Sequence, residues 1–168
     1  MTRFGNAMRA AVAGGVVLMM VTPPLAAQER KHTTTSMSKR HIATKQAQHR
    51  LILQVNSNEP AMMNLALNNA MNVAEYYKGL GEKVSIEVIT YGPGLHMLRN
   101  DTSPVKARIE TIALSTPEIS FKACGNTKEN MSKAENKDIP IIPQANLVKS
   151  GVVRVMELQE QGWSYVKP

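Results

Sequence analysis

Arg50-Leu-Ile-Leu-Gln-Val-Asn-Ser-Asn-Glu-Pro60 holds a strand, a turn and a helix start in a few residues. Leu51, Ile52, Leu53 and Val55 put apolar side chains on both faces, the pattern of a strand covered on two sides. Asn56-Ser57-Asn58 ends it, and Pro60 suits a first helical turn, where its missing N–H goes unused. The helix is expected to run to about Tyr77 and to stop at Gly79 or Gly81. Met63, Leu67, Ala70, Ala74 and Tyr77 form its buried stripe. A strand followed at once by a helix is the repeating unit of a layered α/β protein.

The unit recurs. Val84–Tyr91 reads as a second strand, cut off by Gly92-Pro93-Gly94, with a short turn at Leu95–Arg99. Thr102-Ser103-Pro104 then caps a helix with Val105, Ile109 and Ile112 on one face. Ile119, Phe121 and Ala123 alternate along a third strand that leads to Cys124-Gly125-Asn126-Thr127. Asn126 with Glu129 three residues on reads as a capping box for the next helix. Pro140 and Pro143 exclude a long element there, and Ala145–Val148 is a short strand. Ser150 caps a helix through Gln161, Gly162 stops it, and Trp163–Val166 is the last strand. The fold expected is α/β and three-layered, with a mainly parallel central sheet of about five strands flanked by helices.

Right-handed crossovers bring the carboxyl ends of such strands to one rim, where open α/β sheets bind ligands. Asn56–Asn58, Gly92–His96 and Cys124–Thr127 therefore belong together. Asn56, Asn58, Gly92, Gly94, His96, Gly125, Asn126 and Thr127 are the candidate binding residues. Gly92 and Gly94 permit positive φ or close backbone approach, although a turn of this kind also serves only to reverse the chain. His96 is a candidate base or anion contact near Cys124, set against an ordinary surface histidine.

Cys124 is the only cysteine. Exported proteins usually pair their cysteines, so a single one is either a small buried apolar group or a reactive sulfur. A helix start beside it favours the thiolate, because helix N-termini carry unpaired N–H groups and partial positive charge. A helix end contributes ~0.3–1 kcal/mol to a nearby anion and about 2 in sheltered sites, which corresponds to about one pKa unit. That shift takes the thiolate fraction at neutral pH from a few per cent to roughly a quarter.

Residues 1–27 have the pattern of a secretory signal: Arg3 and Arg9, an apolar run from Ala10 to Val21, Pro23-Pro24, then Leu25-Ala26-Ala27 at the cut. The run is well short of the ~20 residues that span a bilayer, so release into a periplasm with no stable membrane anchor is expected. Residues 28–49 read as a flexible basic linker, rich in Thr, Ser, Lys, Gln and His. His32, His41 and His49 are spaced irregularly, as solvated tail residues are. The formal charge of +7 is concentrated before Arg50; from there on, 13 basic residues face 12 acidic ones. A domain over 50–168 with so even a balance offers no electrostatic footprint for nucleic acid.

There is no G-x-G-x-x-G, Walker loop, C-x-x-C or nucleophile elbow, and metal ligands do not cluster, so no cofactor and no metal is expected. The segments Leu51–Asn58, Tyr91–Arg99, Phe121–Thr127 and Gly151–Pro168 together resemble the DsrE-like proteins of sulfur metabolism, in particular the exported single-domain branch. The resemblance covers nearly everything from Arg50 onward. It implies a small α/β domain assembled as a homo-trimer or homo-hexamer. It also implies that Cys124 carries sulfur as a persulfide between unidentified donor and acceptor proteins, a sulfurtransferase-like carrier. The function expected is thus a periplasmic sulfur relay. The alternative is a non-catalytic homo-oligomeric module that binds a small anion or a partner, with Cys124 structural.

Overall fold

The computed structural model describes residues 48–168. The expected signal, His32, His41 and all but the end of the linker lie outside the described residues.

Dense β-branched and aliphatic residues build the central strands. β1 (Gln48–Val55) and β2 (Lys83–Thr90) run side by side with Leu51 opposite Ile86 and Val55 opposite Thr90. β3 (Ile119–Cys124), β4 (Ala145–Val148) and β5 (Ser164–Val166) complete the sheet in the order β4-β3-β2-β1-β5. Every pairing between these strands is parallel.

The strand order decides which helix covers which face. Steps from β1 to β4 all move in one direction, so right-handed crossovers place α1 (Pro60–Gly79), α2 (Lys106–Ser115) and α3 (Gly125–Glu135) on one face. The return from β4 to β5, beyond β1, carries α4 (Gly151–Glu160) across the other face. The main core joins Leu51, Leu53 and Val55 to Met63, Leu67 and Ala70 of α1 and to Ile109 of α2. A smaller one joins Ile52 and Ile89 to Leu158 of α4. The result is the three-layer α/β fold, with helices above and below a five-stranded sheet.

Several local expectations are corrected. β1 begins at Gln48, two residues before the expected start. His49 is part of it and no tail residue: its ring stacks on Tyr77 at 3.7 Å and its Nε2 lies 2.7 Å from Glu82 Oε2. Gly92–Leu98 forms a 3-10 helix instead of a simple turn, because Pro93 near its start presets φ for such a turn. α2 starts at Lys106, later than the Ser103 cap implied; Ser103 Oγ instead accepts the Val105 N–H at 3.3 Å, just ahead of the helix.

Arg99, at the end of the 3-10 helix, is 1% exposed. A buried guanidinium requires paired carboxylates. Asp101 accepts from Nε and Nη2 at 2.9 and 2.8 Å, and Glu135, the last residue of α3, accepts from Nη1 and Nη2. The guanidinium holds the Glu135 carboxyl down to about 2 and that of Asp101 well below the usual carboxylate range. This clamp joins α3 to the segment that follows β2, and both help to frame the site.

Candidate functional site

Cys124 is the last residue of β3 and the N-cap of α3, with no side-chain cap at that helix start. The capping box expected at Asn126 and Glu129 does not form, because the strand passes into the helix with no intervening turn. The Asn126 amide instead goes to the Lys149 carbonyl oxygen at 3.2 Å. The helix start is thereby fastened to the segment after β4.

The sulfur lies where two helix starts meet. Burial raises the Cys124 pKa, but the Thr127 hydroxyl and the amides of Gly151, Thr127 and Asn126 outweigh it and bring the thiol below its ordinary value. Thr127 and Asn126 belong to the first turn of α3, and Gly151 is the first residue of α4. The Asn126 amide is shared with Lys149 and is the weakest of the four contributions. Thr127 is oriented from outside: its Oγ1 accepts the Gly92 N–H at 3.0 Å, which leaves its own hydrogen for the sulfur.

Glycine at 151 is needed for this approach. A Cβ there would stand 2.9 Å from Tyr91 Cδ1 and 3.3 Å from Cys124 Cβ. Tyr91 is thus packed beside the cysteine, and its phenol is raised by burial and by the neighbouring Tyr165 and Cys124. Tyr165 in turn donates its hydroxyl hydrogen to the buried Gln54.

Two clefts flank the cysteine. One, of about 410 Å³, is lined by Asn58, Gly92, Pro93, His96 and Thr127, with α3 residues on its far side. The other, of about 570 Å³, is lined by Asn126, Lys149, Ser150, Arg154 and neighbours on α4. Cys124 itself is 4% exposed and forms no wall of either, so Thr127 and Asn126 stand between the sulfur and the two spaces.

The expected rim residues divide accordingly. Asn58, Gly92, His96 and Thr127 come together in the smaller cleft, whereas Asn56 is exposed and lines neither. His96 Nδ1 lies 2.8 Å from Thr102 Oγ1. Gly92 takes positive φ, and Gly94 makes a close approach to the end of β1. Gly125 sits against the Val148 carbonyl, which a Cβ would meet at 3.1 Å. Among the described residues no group of three or more His, Cys, Asp or Glu is arranged to hold a metal, and no helix is long and apolar enough to cross a membrane.

No family model and no curated protein matches the chain. Among solved structures, it is similar to a protein of unknown function from Methanobacterium thermoautotrophicum, with 26% identity and a TM-score of 0.60. The match covers 71% of this chain and 99% of that one. The likeness supports the α/β architecture and names no activity.

Gly151, Tyr91 and Lys149 were not among the expected site residues. For Gly151 a signal exists: glycine is a poorer helix former than alanine, so its presence directly after the Ser150 cap points to a close contact. For Tyr91 and Lys149 there is none, since their role follows from where α4 returns across the sheet.

Proposed function

We propose that the protein is a periplasmic sulfur carrier of the DsrE-like kind, holding sulfane sulfur as a persulfide on Cys124 and passing it to a partner thiol. The observation that carries this reading is the position of Cys124 at the N-terminus of α3 with Gly151, the first residue of α4, packed against it; the Thr127 hydroxyl and the neighbouring amides hold its thiol below the ordinary value. Such a set stabilises an anion and serves a thiolate or a persulfide equally.

The chemistry is two exchanges. The Cys124 thiolate attacks the outer sulfur of a donor such as thiosulfate; a new S–S bond forms as the donor's S–S bond breaks, and sulfite leaves with its electron pair. An acceptor thiolate then attacks the terminal sulfur of the persulfide, and Cys124 leaves as thiolate. With no second cysteine in the chain, the sulfur is released only to another molecule.

The competing reading, a binding module with a structural Cys124, is favoured by the burial of Cys124 and by its absence from both cleft walls. Intact mass separates the two. After incubation with thiosulfate or polysulfide, the wild type is expected to gain one sulfur atom, reversible by reductant, and Cys124→Ser none. No gain in either protein favours the binding module.

Assembly as a trimer or hexamer belongs to the same proposal. Val152, Val153 and Met156 of α4 and Leu147 of β4 are about half exposed, which suits burial against another copy. Light scattering that shows a monomer at micromolar concentration contradicts it. Export rests on residues 1–27, and an N-terminus near Gln28 in protein recovered from the periplasm is the corresponding check.

A further inference from the structure

Glu87 is out of place in its strand. It lies in the middle of β2, 6% exposed, between Ile86 and Val88. Its carboxylate is held by one residue of α4: Arg154 Nε donates to Oε2 at 3.0 Å and Nη2 to Oε1 at 2.6 Å. Buried pairs of this kind contribute little net stability over apolar residues of the same size, so stability alone does not explain this one. Its geometry offers another role.

Arg154 lies one turn after Gly151, and Val155 and Leu158 continue the same stripe of α4. The apolar grip on the helix is at its far half, where Leu158 packs with Ile52 and Ile89, and Val155 and Trp163 flank them. Val152, Val153 and Met156 are exposed and hold nothing in place. At the near half, the grip is Gly151 against Tyr91 and Cys124, and the two-pronged contact of Arg154 with Glu87. With Gly151 packed against Cys124, rotation of α4 about its axis sets how its first N–H groups point relative to the sulfur, and a hydrogen bond weakens steeply as its angle falls. A fork-on-fork ion pair fixes that rotation more sharply than apolar contact does.

We infer that Glu87 and Arg154 are positioning residues, which set the rotation and depth of α4 so that its N-terminus, at Gly151, packs against Cys124. The inference goes beyond the proposed carrier function and holds whether or not Cys124 carries sulfur. Other ionisable groups on the elements around the sulfur are Tyr91, His96, Lys122, Lys128, Glu129, Lys133, Glu135, Lys149, Glu157, Glu160 and Tyr165. None of these is changed in the test.

The test uses the sign of a charge effect. Glu87→Gln removes a negative charge and leaves Arg154 cationic; by Coulomb attraction alone the thiol midpoint would fall. Loss of positioning makes it rise, and a rise of about half a unit is expected, part of the roughly one unit that a charge-assisted hydrogen bond supplies. Glu87→Asp keeps the charge but shortens the reach, and is expected to raise the midpoint as well. The readout is the pH dependence of alkylation in the full-length chain, with melting curves to confirm folding. In the NMR spectrum, the Gly151 amide shift should follow the Cys124 titration in the wild type and follow it less in either variant. A midpoint that is unchanged or lower in the folded variants overturns the assignment. Because no sulfur donor is used, this outcome is independent of whether the protein accepts sulfur.

Discussion

Gly94→Ala is expected to cost about 3 kcal/mol or more of unfolding free energy, at the upper end of what overpacking does. A Cβ at this position would lie 2.6 Å from the Val55 carbonyl carbon and 2.8 Å from Asn56 Cα, with the carbonyl oxygen nearer still. The obstacle is backbone, so no side-chain rotation relieves it. Nor is the end of β1 free to retreat, because the Val55 carbonyl accepts the Tyr91 N–H at 3.2 Å. Gly94 has no positive φ, so the effect comes from the clash and not from backbone preference. Urea titration checks it. A change within ~0.5 kcal/mol, as at an ordinary surface site, contradicts the packing described.

Gly151→Ala is expected to raise the Cys124 midpoint by about one unit, since a hydrogen bond to a charged group contributes about 1.5–3 kcal/mol and ~1.4 kcal/mol is one unit. The added methyl meets Tyr91 at 2.9 Å and Cys124 Cβ at 3.3 Å, so the start of α4 must move away from the sulfur. Helix propensity acts in the other direction, since in open surroundings alanine is the better helix former. A variant that is more stable and whose thiol midpoint is unchanged would show that Gly151 N–H has no part in the site. Alkylation kinetics and thermal melts on the same protein decide it.

The strands were legible because each is short, apolar on one or both faces and bounded by strong turn residues. Leu51–Val55 ends at Asn56, and Ala145–Val148 follows Pro143. Parallel pairing followed from the helix between each pair of strands, and Cys124 at the end of the third strand followed with it. What was not legible depended on distant contacts. By composition His49 belongs with the tail around it; its contacts with Tyr77 and Glu82 depend on residues that only the fold brings beside it. The Asn126–Glu129 pair matched a local capping pattern, yet the Lys149 carbonyl, far along the chain, takes the amide that such a cap would serve. The second helix start at the sulfur was hidden for the same reason. Gly151 signals a close contact, but nothing near it indicates that α4 recrosses the sheet to meet Cys124 and Tyr91.

The pH dependence of Cys124 alkylation by iodoacetamide in the folded protein tests most directly whether this residue is a stabilised thiolate. The predicted result is a single midpoint below the ~8.5 of a free thiol, with alkylation absent in Cys124→Ser. A midpoint at or above ~8.5 would mean that burial outweighs the amides of Gly151, Thr127 and Asn126, and would contradict the account.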